Sequence, residues 1–439
     1  METDMPLPAR LAALWDHLGL GAAHAATQVP GDLAGFAAAH PKRLASVTLC
    51  VPVRLDPAPF AAVAGSVVLI AGGHGLTNEV TARAAQRLPG SRRIVLDGYE
   101  APGWADVAVE RGGALVDALL SQSGHAATVP RSGAASGVHA GITYTITGQG
   151  PALVLLPFFL APSQWVPIIP ALAADFTVIV LGGRHLGGVA ALEDRAKGVS
   201  YRAMVHALLN RIGPAPGETI LDVGCGSGAL DRLLARRFAT GDTPPNPITA
   251  TDLNPFLLRE AAVLAAEDGV DGTITFRQAN AEALPFPDGR FDHAFTVTVL
   301  EECDADKALR ELHRVVRPGG RVGVIVRSID LPQWWNLDLP EDLRRKVNVP
   351  PRSVGPRGVA DSSLYPRMKA AGFGALSCFP TLVTFDQPDG PIWRYREDHV
   401  LSQLTPAETE IWHAATQAAR AAGLLFMANP LHCVVGTVG

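Results

Sequence analysis

The chain has 439 residues, 48% of them apolar and 18% charged, and a formal net charge of −5; this length suits two or three cored domains and excludes a mainly disordered chain. With no long Lys/Arg run to build a basic face, nucleic acid is not expected as a partner. The five cysteines, Cys50, Cys225, Cys303, Cys378 and Cys433, include no C-x-x-C pair, so neither a metal site nor a disulfide framework is expected, and free thiols suit a reducing cytoplasm.

The opening METDMPLPARLAAL lacks a basic start before an apolar core, and no run reaches the roughly 18 apolar residues of a membrane span. A soluble protein without a membrane partner is expected. Residues 1–125 alternate helical and strand-like runs, with SVVLIAGG and RRIVLDG reading as buried strands. A Gly/Ser/Ala-rich stretch follows and reads as a linker at 126–140. A second α/β patch, 141–199, opens with the alternating strand GITYTITGQG and continues with PALVLLPFF and DFTVIVLGG. From Tyr201 a helix leads into a regular series. Its strands are TILDVG, ITATDL, TITFRQ, FDHAFTVTV and GGRVGVIVR; its helices include ALDRLLARRF, PFLLREAAVLAAED and ADKALRELHRVV. Strands alternating with helices argue for an α/β chain with a parallel, doubly wound sheet at 200–439. LSCFPTLVTF and MANPLHCVVGTV close it with two more strands.

The sharpest motif is ETILDVGCGSGALDRLL. A buried strand ends at Asp222, and Gly224, Gly226 and Gly228 then let the backbone turn and approach a ligand closely. The helix that follows offers free N–H groups and a positive end. A nicotinamide-binding turn expects its ribose acid about 20 residues on. Here the next strand-end acid is Asp252, followed later by NAEALPFPDGRFD and VVRPGGRVGVIVR.

Taken together, LDVGCGSG, the acid of TDLNP, NAEALPFPDGRFD and RVVRPGG resemble the ubiquinone/menaquinone-biosynthesis-like branch of class I S-adenosylmethionine-dependent methyltransferases. The resemblance implies a Rossmann-like seven-stranded methyltransferase sheet at 200–439 and S-adenosyl-L-methionine as cofactor. Asp222 and the turn of Gly224, Cys225, Gly226 and Gly228 would hold the methionine moiety, Asp252 the ribose, and Leu253 the adenine face. Asn280 stands where the family usually has Asp; its amide and the Ala281 backbone N–H would meet the adenine edge. Glu282 and Thr298 complete the expected cofactor set, although Glu282 also fits as a capping acid.

The front of the chain resembles a degenerate α/β-hydrolase. The nucleophile elbow falls in A-A-T-Q-V around Thr27, flanked by Ala25 and Val29 instead of glycines. The acid position falls near Gly75 and the histidine position near Tyr99 or Glu100, so no triad is expected. Residues 141–199 resemble the beginning of the same fold, so its late half precedes its early half. Two explanations stand: a circular permutation within one chain, or halves exchanged between the protomers of a homodimer. The expected role of this α/β-hydrolase-like lobe is a lid or an interface.

For the acceptor, Trp334, Trp335 and Asn336 are the expected pocket residues, with packing of the C-terminal helices as the alternative. Glu301, Glu302 and His432 are the acid–base candidates. The partner expected is a small, apolar or aromatic methyl acceptor. The alternatives are a cofactor-binding regulator without turnover and a methyltransferase of RNA or protein.

Overall fold

The computed structural model describes residues 5–100, 107–121, 135–238, 245–352, 354–379, 381–386, 390–401 and 403–439. The chain divides into two compact units, Met1–Ala190 and Ala191–Gly439. The division falls inside the helix Gly187–Lys197, so the second unit begins earlier than the boundary at 200 read from the sequence. Residues 126–134 of the expected linker lie outside the described residues. Its end is not a free connection: Ser136–His139 is a strand paired with the one that follows.

In the first unit the strands are β1 (Ala23–Thr27), β2 (Leu44–Cys50), β3 (Val67–Gly72), β4 (Arg92–Leu96), β5 (Ser136–His139), β6 (Ile142–Gly148), β7 (Ala152–Leu155) and β8 (Thr177–Gly182). They make one sheet in the order β4-β3-β2-β1-β7-β8-β6-β5. From β4 to β8 every neighbour is parallel, whereas β6 runs antiparallel to both β8 and β5. Side chains alternate between two apolar layers. Ala25, Leu69 and Val154 face one, and Ala26, Ile70 and Leu155 the other. Burial on both faces is why these strands read as continuous apolar runs.

In the second unit the strands are β9 (Ile220–Val223), β10 (Ile248–Asp252), β11 (Ile274–Gln278), β12 (Phe291–Val297), β13 (Val316–Arg327), β14 (Trp334–Trp335), β15 (Gly374–Cys378), β16 (Thr381–Phe385) and β17 (Met427–Thr437). The order is β11-β10-β9-β12-β13-β17-β14, with β15 and β16 also on β17. The sheet thus has nine strands where seven were expected. LSCFPTLVTF, read as one strand, is two, Gly374–Cys378 and Thr381–Phe385, each paired with β17; Trp334–Trp335 adds a short pairing with β17.

Helix Ala305–Val315 shows how the layers form. Its cap Asp304 accepts the Lys307 amide, and Ala305, Ala308, Leu309, Leu312 and Val315 are buried at helical spacing. They pack on the layer holding Leu221, Ala294 and Val324. Helix Val199–Ile212 covers the opposite layer, with Ile220, Phe295 and Ile325. The chain runs outward from β9 through β10 to β11, then returns to add β12 and β13 on β9's other side. That reversal opens a crevice at the carboxyl ends of β9 and β12, where α/β sheets place their ligands. No helix among the described residues is long and apolar enough to cross a membrane.

Candidate active site

β9 carries Asp222 into this crevice, 2% exposed. Gly224, Gly226 and Gly228 follow with φ of 84°, 57° and 69°, the left-handed region open to glycine. A Cβ on Gly224 would also overlap the Val299 side chain. The amides of Gly224 and Cys225 donate to the Thr251 carbonyl at 2.7 and 2.8 Å, tying the turn to β10. Helix Ala229–Phe238 starts at once and matches the run read from the sequence.

Behind the turn sits a buried ionic knot. Arg232 donates to both oxygens of Glu193 at 2.6 and 2.7 Å, to the Ser227 carbonyl at 2.6 Å and to Asp268 at 2.8 Å. The Ser227 hydroxyl donates to Glu193 at 2.9 Å. These charge-assisted bonds fix the turn from its protein side.

Asp222 adjoins Asp231, which is 0% exposed and whose carboxyl oxygens have no donor among the described residues. Burial raises the pKa of both carboxyls, and the neighbouring Asp231 pushes Asp222 further. Two adjoining acids so buried resist ionising together, and a cation beside them would relieve this. The α-ammonium of a methionine moiety would supply such a cation, so the residues present fit S-adenosylmethionine.

Asp252 accepts the Gly226 amide through Oδ2 and the Asn254 amide through Oδ1, both at 2.9 Å. Each oxygen keeps a second lone pair, enough for two ribose hydroxyls. Leu253 is 64% exposed, an uncovered apolar side chain next to that acid. Asn280 is folded back on its own turn, its Oδ1 accepting the Glu282 amide at 2.9 Å. Ala281 is half-buried beside it. Glu282 accepts the Asp304 amide at 2.9 Å and pairs with Lys307 at 3.5 Å, so its carboxylate secures the start of helix Ala305–Val315. Burial pushes the Cys225 thiol well up, which leaves it unreactive.

Two cavities meet here. The smaller, about 20 Å³, is lined by Leu192, Arg195, Tyr201, Asp222, Cys225 and Val297 among others. It has room for little more than a water. The larger, about 280 Å³, includes Thr298, Glu302, Arg327, Phe385 and Asn429 in its wall. Arg195 and Tyr201 line both. Thr298, with φ of 57°, is a β-branched residue in the left-handed region, a strained geometry of the kind found at functional sites. Its hydroxyl accepts from Arg195 at 3.0 Å.

The remaining sequence candidates separate clearly. Glu302 lines the larger cavity. Glu301 is 1% exposed and accepts the Arg327 amide at 2.7 Å, outside both cavity walls. His432 is bonded to Asp330 at 2.8 Å and also lines neither cavity. Trp335 packs edge-on against Trp393 and Trp412 at 5.2 and 5.0 Å. Trp334 stands against Phe426, and Asn336 donates to the Leu424 carbonyl at 2.7 Å. This triplet therefore packs the C-terminal region and lines neither cavity; Trp334 and Trp335 pair with β17. Sequence reading missed Glu193, Arg195, Tyr201, Arg232, Arg396 and Asn429. Glu193 and Arg195 lie in a segment assigned to the front lobe, and nothing in their local pattern signals a site.

Residues 221–324 match the family model described as a methyltransferase domain. The chain is 37% identical over 134 residues to an uncharacterised protein of Mycobacterium tuberculosis, covering 28% of this chain and 46% of that one. It is 36% identical over 126 residues to the ubiquinone/menaquinone biosynthesis C-methyltransferase UbiE of Hahella chejuensis, covering 28% and 49%. The chain thus spans about half the length of these curated relatives. Among solved structures, it is similar to the YcgJ protein of Bacillus subtilis, at 19% identity and a TM-score of 0.36, covering 54% of this chain and 98% of that one. The likeness to methyltransferases thus falls on the second unit, at residues 221–324.

Proposed function

We propose that this chain transfers the methyl group of S-adenosylmethionine to a small acceptor with an apolar body, held in the 280 Å³ cavity. One observation carries the reading: Arg195 and Tyr201 line both the cofactor turn's cavity and the larger one. A molecule in the larger cavity is therefore next to the methionine end of the cofactor. The sulfonium supplies an electrophilic methyl group, and the protein's tasks are alignment and exclusion of water. Asp222 takes the ammonium and Asp252 the ribose, while Leu253 and the Ala281 amide meet the adenine. Glu302 is the carboxylate in the acceptor wall, suited to receive a proton from an O–H or N–H acceptor. Glu301 holds the end of β13 and thereby Arg327.

The test is incubation with trideuteromethyl-labelled cofactor and a host metabolite extract, read by mass spectrometry. A labelled small molecule is expected. Cofactor binding with no labelled product would turn the assignment toward a regulator or a macromolecular substrate.

The first unit is proposed to be a permuted α/β-hydrolase lobe without hydrolase activity. Read from β5, its strands cross the sheet in the order 1-2-4-3-5-6-7-8, as a late half rejoined to an early half would. β1 pairs with β7 inside one chain, which favours permutation over halves exchanged between protomers. Thr27 ends β1 fully buried, its hydroxyl bonded to the Val29 amide at 2.9 Å. Where acid and histidine are expected, the chain has an exposed His74–Glu100 pair at 3.2 Å, with the two residue types interchanged. Activated acyl esters should not be turned over. Hydrolysis abolished by Thr27→Ala would overturn this.

A further inference from the structure

The wall of the larger cavity is unusually rich in hydrogen-bond donors for a pocket expected to hold a neutral, apolar acceptor. Among the described residues of that wall stand Arg195, Arg327 and Arg396, with one carboxylate, Glu302. Arg327 is drawn toward Glu301 and Glu302, at 3.5 and 3.8 Å. Arg195 bonds the neutral hydroxyl of Thr298 and lies 5.2 Å from the Tyr201 ring centre.

Two further donors line the same wall. The Tyr201 hydroxyl is buried with no hydrogen-bond partner among the described residues, and so is the Asn429 side-chain nitrogen. The two residues are 2% and 6% exposed. A buried donor left unsatisfied costs stability, and both residues belong to the wall of this cavity. Opposite them the cavity is apolar, with Val383, Phe385, Ile392 and Leu431.

We infer that the methyl acceptor is a small amphipathic anion. Its oxyanion, a carboxylate or a phosphate, is held by the Arg195 and Arg396 guanidiniums with the Tyr201 and Asn429 donors, and its apolar body lies on Phe385 and Ile392. Guanidinium forks match the planar or tetrahedral oxygens of such groups. The oxyanion also gives the pocket a means of orientation. Anchored at one end, the acceptor presents a fixed atom to the methyl group, and a neutral molecule of the same shape lacks that anchor. This inference rests on the methyl-transfer reading above and narrows its substrate class.

The test splits the metabolite extract on an anion-exchange resin and offers each fraction to the full-length protein with labelled cofactor. Label concentrated in the retained fraction is the expected result. Treating that fraction with phosphatase distinguishes the two oxyanions: a labelled product that loses its charge is a phosphate, and one that keeps it is a carboxylate. With the retained acceptor, Arg396→Gln should raise KM tenfold or more and leave kcat within a few-fold, with Arg396→Lys recovering part of the loss. Label concentrated in the unretained fraction overturns the anionic assignment while methyl transfer stands. Label in neither fraction, with S-adenosylhomocysteine binding intact by calorimetry, overturns the methyl-transfer reading and this inference with it.

Discussion

Asp252 holds its place through two backbone amides, so its carboxylate is oriented before any ligand arrives. Replacing it by alanine removes both the ribose contact and the brace on the glycine turn. Asp252→Ala should weaken S-adenosylhomocysteine binding tenfold or more, about 1.4 kcal/mol per decade; unchanged affinity by calorimetry would mean the ribose lies elsewhere. Asp231 acts in the opposite direction. Asp222 and Asp231 both titrate above the ordinary carboxylate value of 3.8 in the folded protein. The folded state therefore keeps a proton that the unfolded chain has released. The stability this proton contributes is full below the unfolded pKa and is lost as pH rises through the raised folded values. Asp231→Asn removes the second acid, so its thermal midpoint should exceed the parent's by more at pH 8 than at pH 5. Equal differences at the two pH values would mean the two acids do not share a proton. The candidacy of Asp222 was legible because it ends a strand before a glycine turn. Asp231 was not, because in the sequence it is one polar residue within an ordinary helix.

At the scale of elements, the cofactor turn is secured by parts distant in the chain. Arg232 on helix Ala229–Phe238 joins Glu193 of helix Gly187–Lys197 to Asp268 at the end of helix Pro255–Glu267. All three carboxylate contacts depend on one guanidinium. Arg232→Met would leave Glu193 buried and unpaired, a loss of about 3–5 kcal/mol. Chemical denaturation should show that loss, and S-adenosylhomocysteine affinity should fall with it. An unaffected midpoint would mean that water replaces the guanidinium. The strands and helices of the 200–330 series were readable because short apolar strand runs alternate with stretches of helical spacing. The Arg232 knot has no period. Its members are set by which helices the sheet order places side by side.

Across the whole molecule, the two units have separate apolar layers and separate sheets. The cofactor residues belong to the second alone. S-adenosylhomocysteine should therefore slow amide exchange in β9, the glycine turn and the start of helix Ala229–Phe238, and leave β1, β2, β7 and β8 unchanged. A mass-resolved hydrogen-exchange experiment reads this directly. Equal protection of the first unit's sheet would mean that cofactor binding stabilises both units together.

Legible in the sequence by itself were the α/β class, the glycine turn and the acid that ends the next strand, Asp252. These are local: a strand end, a left-handed glycine and the next strand's last residue lie within one βαβ unit and have fixed offsets. The tertiary structure alone decided which residues line the larger cavity. Arg195, Tyr201, Arg327, Arg396 and Asn429 come from separate helices and strands, and only the crossing of those elements brings them together. It also decided that Trp335 is core and that Glu302, rather than Glu301, faces the cavity. Neighbours on a loop leave a strand end in opposite directions, and which one meets solvent depends on what packs against the other.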